Sequence, residues 1–439
     1  MSFDIREHGA TPGETSVNTP AIQAAIDAAG RTGGRVTIPP GLWRTGTIEL
    51  RSNVELHVAA GATLMGTGNV ADYPESFPED KVRTRRPFTR RLIYANHCHN
   101  VAITGRGTID GNHGCVDDLP QGEIQPLNLH FVGCHGVAVR DVQLKHSGTW
   151  MQQYFRCEEV HISGIRVWNH NRRTNDGLDL DGSCEVRISD CDIDSRDDAL
   201  VFKNTGPYPC RNITVTNCRL RSNCHGIKFG TESIAGFENI TISNCVISPS
   251  RHPEPMPGFP EGRPVITGCA LECTDGGTMR AIHIDGLIVE RVFAPIFIKL
   301  GDRWDRRLPD DTPDHGCLED ISIRNVTARQ AGPFSCSITG YPGHPVRRVH
   351  IENVRIEHRG GVQAGAVLDE VPENSGAYPE MNMLGNKKGK HLPSYGFFVR
   401  HVDGLTMRDV DVRLLGDDAR RPMVTEDVSN AIFENVTGA

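Results

Sequence analysis

The chain has no apolar run approaching the roughly 20 residues that a membrane-spanning helix needs. Its first residues, Met1-Ser2-Phe3-Asp4, lack a basic stretch followed by an apolar one. No secretory leader is therefore expected, and the expected location is cytoplasmic, with secretion the alternative if the natural chain begins earlier. Positive charge is not in surplus. Lys and Arg total 47 against 55 Asp and Glu, a net charge of −8, which speaks against nucleic acid and anionic membrane as partners. No CxxC pair occurs, and no Cys/His spacing suits zinc. The leucine ladder and helices of a leucine-rich repeat are missing, as is the longer regular period of a propeller blade.

What the sequence does have is an apolar fraction of 38%, enough for a large core. It also has 46 Gly and 27 Pro without low complexity, and 14 Cys. An internal repeat organises these. The segments 186-VRISDCDIDS-195, 213-ITVTNCRLRS-222 and 240-ITISNCVISP-249 begin 27 residues apart. The same alternation starts at Val101, Val137, Val160, Ile282, Ile321, Val349 and Leu405. Period-2 alternation rich in β-branched residues predicts strands, and Asn, Asp and Gly between them predict turns. Stacked units of roughly two dozen residues predict an all-β fold: a single-domain right-handed parallel β-helix over residues 1–439, a solenoid of roughly ten coils. The segment 19-TPAIQAAIDAAG-30 predicts an N-terminal capping helix within about residues 1–35. Thr19 would cap it, Pro20 would sit at its first position and Gly30 would stop it. Insertions are expected near 251–265, 302–316 and 360–396. Cys191, Cys218 and Cys245 fall at one repeat position and are expected to stack as a column of reduced thiols rather than bridges. Asn212 and Asn325 fit the glycosylation sequon but read as turn residues.

A second strand series carries the chemistry: 176-DGLDLDG-182, 198-DALVFKN-204 and 225-HGIKFGT-231. Aligning Leu178/Leu180, Leu200/Phe202 and Ile227/Phe229 places Asp176, Asp198 and His225 at equivalent strand starts on consecutive coils, with Asp197 beside Asp198. An isolated Asp at a strand start is ordinary turn chemistry. Gathered acids raise one another's pKa and oppose folding, so a use for them is expected. Calcium is the competing user, but the spacings match neither an EF-hand nor a nonapeptide calcium repeat. Glycoside hydrolysis needs one protonated acid and one ionised base, and such a cluster provides them. Neither a metal nor an organic cofactor is implied.

At these residues the sequence resembles glycoside hydrolase family 28, the polygalacturonase-like family. The resemblance runs from 19-TPAIQAAID-27 and 106-RGTIDGNHG-114 through the last repeats. The family's Asn-Thr-Asp-Gly falls on 174-TNDG-177, its Asp-Asp on Asp197-Asp198, its Gly-His-Gly on 224-CHG-226 and its Arg-Ile-Lys on 297-FIK-299. The resemblance implies Asp197 as general acid, with Asp176 and Asp198 activating the attacking water. It further implies His225 supporting the acid, Lys299 binding a substrate oxygen or carboxylate, and inversion at the anomeric carbon. Phe297 replaces the family's Arg and cannot supply its bidentate contact to a uronate carboxylate. Lys228, aligned in the same column one coil earlier, is the expected partial substitute. A rhamnogalacturonan-type or other uronate-containing oligosaccharide joins galacturonan as an expected substrate.

Lys203, Arg303 in 302-DRWDRR-307 and Trp150 in 146-HSGTWMQQ-153 are further candidate substrate contacts. The run 83-RTRRPFTRR-91 is either a solvated loop or a basic patch with Phe88 as a stacking partner. The expected partner is thus an acidic oligo- or polysaccharide, cleaved from its end. The alternatives are a β-helix lyase or epimerase and a non-catalytic carbohydrate-binding protein.

Overall fold

A computed structural model of the chain describes residues 1–77, 88–114, 125–172, 174–252, 265–303, 315–373 and 390–439. Residues 253–264, 304–314 and 374–389 of the expected insertions, and 83–87 of the basic run, lie outside these residues. The chain divides into two compact units, Met1–Ala199 and Leu200–Ala439.

The first unit opens with α1 (Thr19–Thr32), whose apolar face Ile22, Ala25, Ile26 and Ala29 is fully buried. It packs on the strands Ser2–Asp4, Gly34–Ile38, Ile48–Glu49 and Val54–Val58. Its ends differ from the sequence expectation. Asn18, not Thr19, occupies the N-cap, and the Thr19 hydroxyl accepts from the Gly46 N–H at 2.7 Å. Gly30 lies inside the helix, where a Cβ would sit 2.7 Å from the Arg51 Cβ, and the helix stops at Gly33, whose φ is 74°.

Beyond α1 the chain winds repeatedly through three parallel strand series. One comprises β1 (Arg91–Asn96), β2 (Leu127–Val132), β3 (Gln152–Phe155) and β4 (Leu178–Asp181), paired in succession. Another runs through Val54–Val58, His99–Gly105, His135–Arg140, Glu158–Ser163 and Cys184–Ser189. The last runs through Ala62–Gly66, Thr108–Asp110, Gln143–Lys145, Arg166–Asn169 and Asp192–Ser195. Parallel neighbours reached by a full circuit of the chain define a parallel β-helix. Alternation in each strand sends one set of side chains, such as Val137, Val139, Val160 and Ile162, into the core.

The second unit repeats this architecture. Its corresponding series is β5 (Leu200–Asn204), β6 (His225–Ser233), β7 (Val265–Cys273), β8 (Val292–Leu300), β9 (Cys336–Thr339) and β10 (Ser394–Leu414). The other faces run together in the long strands Gly236–Pro249, Thr278–Glu290, Cys317–Ala331 and Val346–His358.

The turn asparagines behave as read from the sequence. Asn212, Asn217, Asn244, Asn325 and Asn353 all have φ between 50° and 57°. Asparagine tolerates this left-handed region better than most residues. They also bond to one another: Asn353 Nδ2 donates to Asn325 Oδ1 at 2.7 Å, and Asn325 Nδ2 to Asp285 Oδ1 at 2.7 Å. None of the thirteen described cysteines is in a disulfide. Cys98 and Cys134 of the first unit, and Cys218 and Cys245 of the second, influence each other as stacked neighbours. Contact with Cys157 and burial push the Cys134 thiol up to about 12, so it stays protonated and behaves as a small apolar filler.

Candidate active site

In the first unit the three candidate acids lie on adjacent turns of one face. The Gly177 N–H donates to the Asp198 carbonyl at 2.9 Å, and the Asp197 N–H donates to the Asn175 carbonyl at 3.2 Å. Asp176 and Asp198 are therefore rung neighbours, with Asp197 alongside, as the alternation predicted. Asp176 and Asp198 are buried, while Asp197 is half-buried and the most accessible of the three.

The sequence arranges this locally. Gly177 admits the close approach: a Cβ there would lie 2.4 Å from Ile193 Cγ2 and 2.6 Å from the Ala199 carbonyl oxygen. Asn175 clamps the preceding loop, its Nδ2 donating to the Ser147 and Thr149 carbonyls and its Oδ1 accepting from the Asn171 and Arg172 N–H groups. Asn169 donates to the Asp176 carbonyl at 2.9 Å. In the same unit, a His170 side chain with no exposure bonds Asp194 at 2.9 Å. Trp150 is partly exposed and packs on Phe88 with ring centroids 4.7 Å apart.

In the second unit His225 is buried at the start of β6, its Nδ1 2.6 Å from the Thr267 hydroxyl, which pins the ring. Lys228 follows it on the same strand. Its register neighbours are Ala270 on β7 and then Phe297 on β8, so Lys228 and Phe297 share a column but stand two rungs apart, not one. The rung between them, β7, is reached only after residues 253–264, and the sequence spacing hid it. The Lys228 ammonium donates to Glu272 at 2.7 Å in a buried pair. Phe297 packs among Ile266, Ala270, Phe293, Ala294 and Phe334.

Lys299 lies one position on from that column, paired in register with Glu272 and Thr339. Burial pulls its ammonium down to about 8, with Glu373 and Asp302 countering and Arg400 adding to the fall. Arg303 holds Asp275 with two bonds, at 3.0 and 2.5 Å. Lys203 is buried, and it joins Arg303 and Lys228 in holding the Glu232 carboxyl below its usual value against the opposing effect of burial. The basic candidates of this unit therefore form a cation-rich group around Glu232, Glu272 and Asp275.

These acids and bases are carried on parallel β-helical units of a carbohydrate-active type. The chain belongs to glycosyl hydrolases family 28, whose model matches residues 34–375, and it is a glycoside hydrolase. It is 38% identical over 117 residues to an exo-poly-alpha-D-galacturonosidase of Dickeya chrysanthemi, a match covering 25% of this chain and 19% of that protein. The solved exopolygalacturonase of Thermotoga maritima superposes with a TM-score of 0.68 at 21% identity, covering 82% of this chain and 87% of that one. The family 28 exopolygalacturonase of Yersinia enterocolitica gives 0.72 at 19% identity, covering 98% and 78%. At these identities the two structures establish a shared fold. No helix among the described residues is long and apolar enough to cross a membrane.

One group escaped the sequence reading. On β1 and β2, Arg91, Tyr94 and His130 gather beneath Phe88 and Trp150. Arg91 and Phe88 belonged to the 83–91 run, but the 36 residues separating Tyr94 from His130 match no regular repeat, so nothing in the sequence paired them.

Proposed function

We propose that the protein hydrolyses pectin-derived, uronate-containing oligosaccharides from a chain end, with inversion. The observation that carries this is the placement of Asp176, Asp197 and Asp198 on adjacent turns of one face. In this reading Asp197, the most accessible acid, protonates the leaving oxygen, while Asp176 and Asp198 activate water for attack on the opposite face of the sugar. His225, held by Thr267, supports the protonation state of the acid, as the family resemblance implies. Lys299 supplies positive charge for a substrate carboxylate, and Lys228, Lys203 and Arg303 set the field around it. End-wise cleavage follows the names of the similar proteins, which are exo-acting galacturonosidases. The same reading makes the chain one right-handed solenoid of roughly ten coils capped by α1.

The test is Asp197→Asn. Loss of a general acid lowers kcat by about 10²–10⁴-fold, read on trigalacturonate with anomer configuration followed by NMR. A full-rate variant removes Asp197 from the mechanism. Internal fragments from an end-labelled oligomer would exclude end-wise action, and absorbance of an unsaturated uronate would replace hydrolysis with elimination.

A further inference from the structure

Arg91 is 1% exposed, and two of its three nitrogens have no hydrogen-bond partner among the described residues. Its Nη1 donates to the Ser76 and Thr89 carbonyls at 2.7 and 2.5 Å, which fixes the plane of the guanidinium. The two donors without a geometric hydrogen bond are Nε and Nη2, and the Tyr94 hydroxyl is the one described side-chain group that acts on the guanidinium at close range. These two donors lie along one edge of the guanidinium, spaced to meet both oxygens of a carboxylate. No acid among the described residues of the unit takes that place. Glu49, whose charge acts on Arg91 at range, is bonded by Arg51 at 2.9 Å. A buried guanidinium without a counter-ion is costly, and Arg91 is lowered from its usual value, chiefly by burial.

A second vacancy lies beside it. His130 is 3% exposed, and its Nδ1 also has no partner. Burial and the charge of Arg91 hold its ring well below the usual histidine range, so it is neutral and offers one N–H and one lone pair. Tyr94 joins the two groups: the guanidinium stacks 3.9 Å over its ring, and His130 lies 5.6 Å from it, centroid to centroid. Phe88 and Trp150, both partly exposed, complete the group. Apolar ring faces beside a vacant bidentate donor edge and a neutral imidazole match a sugar ring bearing a carboxylate.

The group also stands in line with the acids. Tyr94, His130, Gln153 and Asp179 are successive register partners on β1 to β4, and Asp179 follows Asp176 by three residues. Rungs are about 4.8 Å apart, so His130 lies roughly 10 Å along this face from the strand that follows Asp176. That is the distance of a nearby sugar residue of the same chain.

We infer that Arg91, with His130 and Tyr94, forms a subsite that binds the carboxylate of a uronate residue neighbouring the one cleaved. The inference rests on the proposed uronate hydrolysis. Its test compares kcat/KM of the wild-type protein, Arg91→Lys and His130→Leu on trigalacturonate and on its neutral methyl ester. Arg91→Lys keeps the charge but loses the paired donors. It should lower kcat/KM on the acid by about 10–100-fold and on the ester by less than about 3-fold, and His130→Leu should lower both. Equal losses of Arg91→Lys on the two substrates, or no loss on the acid, would overturn the inference.

A crystal of the Asp197→Asn protein with trigalacturonate decides the matter whether or not the Arg91 variants fold. A carboxylate on the Nε–Nη2 edge supports the subsite, and a bound sugar with that edge facing only water refutes it. A wild-type protein that cleaves neither substrate defeats the proposed function, while the crystal still decides whether Arg91 binds a uronate.

Discussion

Replacing Lys228 with Met tests a buried ion pair of the second unit. Lys228 and Glu272 are 2.7 Å apart, with side chains 3% and 0% exposed. Removing the ammonium while keeping its apolar stem leaves a carboxylate in a site that water does not reach. The cost of such a change is about 3–5 kcal/mol. For 439 residues at about 2.1 cal/mol/K each, the unfolding entropy is about 0.9 kcal/mol/K, so the midpoint should fall by about 3–5 °C. Lys299, in register with Glu272 and already interacting with its charge, shares the burden and moves the value to the lower end. Glu272→Gln alone should cost a similar amount by stranding Lys228. The double variant Lys228→Met/Glu272→Gln should recover most of the loss, since neither charge remains. Calorimetry on the four proteins measures the coupling. Single variants that shift the midpoint by less than about 1 °C, or a double variant equal to the sum of the singles, would show that the pair carries no such coupling.

Three further outcomes are expected. Gly177→Ala drives a Cβ to 2.4 Å from Ile193 Cγ2 and 2.6 Å from the Ala199 carbonyl oxygen. It should cost about 1–3 kcal/mol and reduce activity by moving Asp176, as calorimetry and kinetics will show. Lys299 is charged below about pH 8 and neutral above it, because its folded value lies below the ordinary lysine value. The KM for an acidic oligomer should therefore climb as pH rises through 8, and Lys299→Arg, which stays charged, should move that break upward; an unmoved break assigns it to another group. Thiol titration in denaturant should find at least the thirteen described cysteines reactive, and in the native state far fewer, because most are buried.

Where the repeat is regular, the sequence reported the structure well. Aligning Leu178/Leu180 with Leu200/Phe202 placed Asp176, Asp197 and Asp198 on neighbouring turns, because a strand's side-chain period of two cannot slip without exposing its core face. The turn asparagines were legible because asparagine favours the left-handed region more than most residues, although Glu159, Glu185 and Arg348 adopt it here as well. Legibility failed wherever turn lengths vary. His130 follows Tyr94 by 36 residues and precedes Gln153 by 23, yet all three are register partners. Loop length costs little free energy and leaves no periodic trace. For the same reason β7 was overlooked, and Lys228 was set one rung too close to Phe297. Helix α1 differs from expectation at Gly30 because a glycine required by the passing Arg51 side chain reads the same as a glycine that ends a helix.

The exchange of the family's Arg for Phe297 becomes intelligible once its surroundings are counted. Phe297 is 2% exposed and packs against Ile266, Ala270, Phe293, Ala294 and Phe334. A guanidinium on this strand would need partners that these side chains cannot give, and its burial there would be unfavourable. The two nearest register columns divide the work instead. One holds Lys228, Ala270, Phe297 and Ser337, apolar at its centre, while its neighbour holds Glu272, Lys299, Thr339 and Arg400 and carries the charge. Restoring Arg at 297 alone would therefore not restore a family-type contact, since the whole apolar cluster around it would have to change as well. On the proposed uronate reading, positive charge for the substrate comes from outside that cluster, and in the second unit Lys299, whose lowered pKa reflects its burial, is its candidate source.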